Sequence, residues 1–189
     1  MKNEKEIKIM LEESQYNELI EEFSPSKQIR NINFYYDDLK KTMISNGRTV
    51  RVRTIGEIMY LQLKKHIDQK GNTNISEEFC ERIEILPYCI NSKTIFNLSG
   101  ETYPDVYLLG FMVTDRTIYT LNPQVKILLD KNVFLNNLDY EIEIEYTCKN
   151  SDLESVINIL KKHSINIQNN GRIANKSYRF SEKYYNQKW

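Results

Sequence analysis

The sequence predicts an α+β, mainly β chain: an eight-stranded antiparallel sheet closed into a tunnel-like barrel, with helices packed outside. Three observations carry this. Apolar and polar residues alternate with the period of half-buried strands over about eight short segments. Turn signals separate them: Asn46-Gly47, Gly56-Glu57, Gly71-Asn72, Asn122-Pro123 and Asn136-Asn137. Several of the polar faces also carry clustered charge, where a solvent-facing side usually mixes Thr, Ser, Gln and Lys.

In chain order, residues 3–11 alternate as a first strand. Residues 13–23 place Tyr16, Leu19, Ile20 and Phe23 at helical spacing, and Ser24-Pro25-Ser26 ends that helix. Residues 28–37 read as a strand, and 38–45 as a short helix running into Asn46-Gly47. Thr49–Thr54 and Ile58–His66 form a hairpin around Gly56-Glu57. Residues 75–85 give another strand, and Pro87 opens a weakly helical stretch through Leu98. A long Tyr/Val-rich strand over 105–120 turns at Asn122-Pro123 into a strand over 124–131, and 138–147 is the last. Ser151 and Glu154 then have capping-box spacing, with Val156, Ile157 and Leu160 continuing a helix toward His163. A short helix is expected over 175–185. The helices at 13–23 and 151–163 can cover the apolar faces of the strands.

The 189 residues fit one domain, 1–189, and 40% hydrophobic content suffices for a core. The formal net charge is zero, so no overall basic field favours nucleic acid, and any polyanion site must come from local sorting of charge. Cys80, Cys89 and Cys148 form no CxxC, which argues against a disulfide scaffold or a zinc centre and for free thiols. The N-terminus is charged from its second residue, and no run approaches the ~20 apolar residues of a membrane helix. The expectation is a soluble, cytoplasmic protein with no membrane partner.

On the first strand Glu4, Glu6 and Lys8 share a face, and on the last Glu141, Glu143 and Glu145 do. Arg51 and Arg53 share a face opposite Val50 and Val52. Gln62 and Lys64 lie opposite Leu61 and Leu63, and Glu78, Cys80 and Arg82 share a face. Lys126 and Asp130 stand opposite Val125, Ile127 and Leu129. Like charges ~4 Å apart repel by about 4 kcal/mol at an effective dielectric of 20. Carboxylates gathered inside a barrel therefore demand a cation, and all-oxygen ligation suits Mg²⁺ or Mn²⁺. A ring of Arg and Lys demands a dense anion such as a phosphate chain.

In this arrangement the chain resembles the CYTH domain, or triphosphate tunnel metalloenzyme, family, in its short single-domain bacterial branch. Glu4, Glu6 and Lys8 match the family's opening Glu-x-Glu-x-Lys. Asn33-Phe34-Tyr35-Tyr36-Asp37 resembles its aromatic-Asp segment, Arg51-Val52-Arg53 its paired-arginine strand, and Leu61-Gln62-Leu63-Lys64 its lysine strand. Glu78, Arg116 and Asp130 follow in order, then Asp139 through Glu145 as the late acidic strand, and Lys176 and Arg179 on the C-terminal helix. Asp115 departs from the pattern, standing where a basic residue is expected.

The resemblance implies a metal-dependent triphosphatase acting on tripolyphosphate or a small organic triphosphate. Glu4, Glu6, Glu141 and Glu143 would hold Mg²⁺ or Mn²⁺. Lys8, Arg51, Arg53, Lys64, Arg116, Lys176 and Arg179 would hold phosphates. Lys8, Glu6 and Glu143 would serve catalysis, while Glu78, Asp130, Glu145 and Tyr36 would support them. The same scaffold admits a class IV-type adenylate cyclase, a thiamine triphosphatase or a non-catalytic polyphosphate- or nucleotide-binding protein. The partner is a triphosphate-containing small molecule, and a homodimer is left open.

Overall fold

The alternating segments fold as strands of one antiparallel sheet. The computed structural model describes residues 2–23, 25–70, 73–147, 153–165 and 174–187, with the side chains of 2–5, 68–70, 73–75 and 153 outside that description. The strands are β1 (Lys2–Leu11), β2 (Lys27–Asp37), β3 (Arg48–Ile55), β4 (Ile58–Lys70), β5 (Thr73–Ile83), β6 (Cys89–Ile90), β7 (Val106–Asn122), β8 (Val125–Phe134) and β9 (Asn137–Tyr146). The helices are α1 (Glu13–Glu22), α2 (Thr42–Ser45), α3 (Ser92–Ser99), α4 (Leu153–Lys162) and α5 (Lys176–Asn186). The sheet order is β2-β3-β4-β5-β1-β9-β8-β7-β6, and β2 also pairs with β7 along Lys27–Asp37.

Three details differ from the sequence reading. Two-residue β6, paired with β7, is a ninth strand too short to show a period. The helix expected from residue 38 starts at Thr42. Asp37 accepts the Met43 and Ile44 amides at 2.9 and 3.2 Å, and Asp38 accepts the Thr42 amide at 2.7 Å, so the two aspartates cap α2 and are not part of it. The helix expected after Pro87 is confined to α3, where Asn91 Oδ1 accepts the Thr94 amide and Gly100, at φ 74°, ends it. Ser151 and Asp152, the expected cap of α4, lie outside the described residues, as do Cys148 and Trp189.

The faces separate as the alternation requires. Ile7, Ile9, Ile127, Leu129, Ile142 and Ile144 point outward from β1, β8 and β9 and are buried under Leu19 of α1 and Val156 and Leu160 of α4. A second outer cluster packs Val50, Val52, Leu61 and Leu63 with Met43 of α2 and Ile95 of α3. The opposite face carries the charges. One end of it is apolar: Tyr35, Met112 and Phe134 pack on Phe180 of α5. Gly110 permits this close approach, since a Cβ there would lie 3.1 Å from Phe180 Cζ.

Candidate functional site: a charge-lined cavity

The charged face encloses a cavity of about 530 Å³. Register decides who meets whom in it. Across β1–β9, Glu6 stands opposite Glu145, Lys8 opposite Glu143, and Met10 opposite Glu141. Across β3–β4, Arg51 stands opposite Gln62 and Thr49 opposite Lys64, which in turn faces Glu78 on β5. On the far side Arg116 of β7 opposes Asp130 of β8, which opposes Glu141 of β9.

Ion pairs join these groups. Lys8 Nζ lies 2.9 Å from Glu143 Oε1 and 3.2 Å from Glu6 Oε1, and Lys64 Nζ lies 3.5 Å from Glu6. Arg116 donates to both Asp130 oxygens, at 2.7 and 2.6 Å, and to Glu143 Oε2 at 2.6 Å. Arg51 donates to Gln62 at 2.8 Å and Glu78 at 3.0 Å. Lys176 Nζ reaches Asp130 at 2.7 Å, Glu143 at 2.8 Å and Glu141. Arg179 holds Asp139 at 2.9 Å and Glu141 at 2.5 Å.

Arg53 is the exception. Its Nε donates to Asn33 Oδ1 at 2.9 Å, and among the described residues no carboxylate lies within ion-pair distance of it. Burial, then the Arg51 and Arg116 charges, push it down to about 10. The shifts of Lys8, Glu143, Asp130 and Glu78 follow the pairing, and that of Lys176 runs against it. Burial alone would lower the Lys8 ammonium, but Glu143 and Glu6 outweigh it and raise it. Burial would raise the Glu143 carboxyl, yet Lys8 and Arg116 hold it well below the usual carboxylate range. Asp130, opposed by burial, is held down by Arg116 and Lys176. Glu78, likewise opposed, is held down by Arg51 and Lys64. For Lys176, burial and the Lys8 and Arg116 charges pull the ammonium down against the carboxylates around it.

The residues singled out in the sequence do not all meet at the cavity. Glu6, Lys8, Glu143 and Glu145 line the cavity from β1 and β9. Arg51, Arg53, Lys64, Glu78, Arg116 and Lys176 also line it, as does Arg48, which the sequence did not single out. Asp130 and Glu141, both 0% exposed, sit behind that wall, and Arg179 clamps Glu141 there. Tyr36 faces the other way: its hydroxyl donates to the Pro87 carbonyl at 2.7 Å within the outer apolar cluster. The Glu4 side chain lies outside the described set. Arg82 and Lys126 are exposed, and Asp115 pairs with Arg30 at the surface.

Gln62, Asn33 and Asp139 were on the right strand faces in the sequence but drew no role. They orient Arg51, Arg53 and Arg179 respectively; cross-strand register reveals the first two and the docking of α5 the third, and strand phase alone reveals none of them. Asp130, Glu141 and Glu143 each bring an oxygen within 4.8 Å of the others. The donors here are carboxylates without His or Cys, a set that fits a hard divalent ion.

Fold and site together define an α+β protein with a charge-segregated internal cavity. More particularly, the chain belongs to the CYTH domain family, whose model matches residues 2–178. Among solved structures, HpAC1 from Hippeastrum, described as an adenylyl cyclase candidate with a dominant triphosphatase activity, superposes with a TM-score of 0.68 at 18% identity, over 89% of this chain and 92% of that one. A Bacillus halodurans protein described as an adenylate cyclase candidate gives 0.68 and 18% over 95% of this chain and 99% of that one. The Mimivirus capping enzyme triphosphatase gives 0.53 and 12% over 86% and 89%. At these identities the likeness is one of fold. No curated protein sequence matches the chain. Among the described residues no helix is long and apolar enough to cross a membrane.

Proposed function

We propose that this protein is a metal-dependent phosphohydrolase that cleaves the terminal phosphate of tripolyphosphate or of a small organic triphosphate inside a charged tunnel. The observation that carries the reading is Arg53: a cation in the cavity wall, beside Arg51 and Arg116, with no carboxylate among the described residues within ion-pair distance. A half-buried guanidinium left so in a cavity wall is matched by an anion from outside. The β2–β7 pairing, which joins the first strand of the sheet order to the eighth, supports a closed eight-stranded tunnel.

Glu4, Glu6, Glu141 and Glu143 would hold Mg²⁺ or Mn²⁺, with Asp130 offering an oxygen beside those of Glu141 and Glu143. When bound, such an ion neutralises developing phosphate charge and orients the reacting oxygens. The chain's own groups do the remaining work. Arg51, Arg53, Lys64 and Arg116 grip the phosphate oxygens and fix the chain in line. Lys8 keeps its proton, because Glu143 and Glu6 raise its affinity for it, and presents N–H donors where charge accumulates on the phosphate. Glu6, beside Lys8, orients the attacking water. Water oxygen bonds to the terminal phosphorus as its proton passes to the Glu6 carboxylate, the bridging P–O bond breaks, and the shortened phosphate chain leaves with those electrons.

A second reading has one observation in its favour. Ile44, Ala174 and half-exposed Tyr178 line the cavity beside the cations and give an uncharged surface for the organic part of a substrate, as in a nucleoside or thiamine triphosphate. The test is phosphate release from tripolyphosphate, ATP and thiamine triphosphate, each with Mg²⁺, Mn²⁺ or EDTA. Metal-dependent orthophosphate release supports the hydrolase and ranks its substrates. Cyclic AMP with pyrophosphate from ATP would replace it with the cyclase, and no turnover of any would leave a binding protein.

A further inference from the structure

We infer that Lys176 is a built-in cation of the Asp130–Glu141–Glu143 cluster, occupying in the ion-free protein the place that a divalent ion takes on loading, so that ion entry and release of Lys176 are one exchange. This rests on the metal-loading part of the proposed function and on none of its chemistry.

The geometry is that of an occupied cation site. The three carboxylates each offer an oxygen within 4.8 Å of the others, Asp130 and Glu141 are fully buried, and Glu143 is nearly so. An ammonium has three N–H donors, and Lys176 Nζ meets one oxygen of each acid: Asp130 Oδ2 at 2.7 Å, Glu143 Oε1 at 2.8 Å and Glu141 Oε1. Arg116 bridges Asp130 and Glu143, while Lys8 reaches only Glu143 of the three and Arg179 only Glu141. Among the described residues Lys176 alone touches all three.

Unlike Lys8 and Arg116, Lys176 is not delivered by a strand. It is the first residue of α5, held by the Asn175 cap, the Thr49–Ser177 hydroxyl contact at 2.7 Å, Arg179 on Asp139 and the packing of Phe180. Its side chain also lines the cavity. A divalent ion entering the cluster therefore has to displace an ammonium whose nearest alternative position is the space assigned here to phosphate. The exchange frees a cation for the anion and loosens the N-terminal end of α5 from the sheet.

The test compares wild type with Lys176→Met by Mn²⁺ titration calorimetry without phosphate, alongside thermal melting in EDTA and in Mn²⁺. In the variant, Mn²⁺ is expected to bind at least tenfold tighter or with one added equivalent. Its melting point should fall in EDTA and recover in Mn²⁺ by more than the wild type gains. Equal affinity and stoichiometry in the two proteins, or no Mn²⁺ binding by either, overturns the inference. If the variant does not fold, hydrogen exchange on the wild type decides: Mn²⁺ should speed exchange at the amides of residues 178–181, and unchanged or slowed exchange overturns it. Mn²⁺ exchange with no triphosphate turnover would leave this inference standing and remove the proposed function. Turnover without the exchange would do the reverse.

Discussion

Lys8 Nζ stands 2.9 Å from Glu143 Oε1, directly across the β1–β9 pairing. The same carboxylate takes Lys176 on that oxygen and Arg116 on the other, so one buried glutamate pairs with three cations.

Removing that carboxylate takes one negative charge from this network and leaves Lys8 on Glu6, Arg116 on Asp130, and Lys176 on Asp130 and Glu141. Glu143→Ala is expected to destabilise the ligand-free protein by about 3–5 kcal/mol, the usual cost of breaking a buried ion pair from one side. Metal-dependent turnover should be lost while tripolyphosphate still raises the melting temperature, because the basic wall is intact. Differential scanning calorimetry with and without tripolyphosphate checks both; unchanged turnover would remove Glu143 from the metal assignment.

Arg53 and Arg116 should respond in opposite ways. Arg53→Met removes a cation that has no acid partner among the described residues, so ligand-free stability should hold or rise. Tripolyphosphate affinity should fall roughly ten- to hundredfold, the value of one charge-assisted hydrogen bond. Arg116→Met uncovers buried Asp130 and Glu143 and should lower the melting temperature. Melting curves and binding titrations of the two variants distinguish a ligand-binding arginine from a structural one.

The pH dependence of stability follows from the shifts. Glu143 and Asp130 titrate below their ordinary values of 4.5 and 3.8 when folded. The unfolded chain therefore binds more protons in that range, and the stability these groups contribute, complete above about pH 5, is lost as pH falls through the folded values. Lys8 works in the opposite sense: raised above 10.5, its contribution is complete below that pH and fades only as pH rises toward the folded value. Melting temperature followed from neutral pH downward should drop, and Glu143→Gln should flatten the acid limb.

Phe180 anchors α5 to the sheet through Tyr35 and Phe134, with ring centroids at 4.8 and 6.3 Å. Phe180→Ala should cost about 3–5 kcal/mol of α5 docking. Gly110→Ala should act in the same direction, since its Cβ would crowd that ring and its φ of 154° disfavours a side chain. Limited proteolysis, with earlier cleavage near residues 176–186 in both variants, reads this out.

Much of this molecule is legible from strand phase. Ile7 and Ile9, Arg51 and Arg53, Glu141 and Glu143 fall on the faces that alternation assigns, and α1 and α4 cover the apolar side. Tyr36 shows the limit. Adjacent to Tyr35, it points to the opposite face by the same alternation, and its hydroxyl goes to Pro87, 51 residues away.

The sequence by itself determined that Glu141, Glu143 and Glu145 share one face, because side-chain direction along a strand follows from local backbone geometry. Only the tertiary structure decided that Glu145 stands beside Glu6 at the cavity, and that Glu141 lies behind it under Lys176 and Arg179. Register between strands far apart in the chain, and the docking of a C-terminal helix, are set by how the whole sheet packs. No local period encodes them.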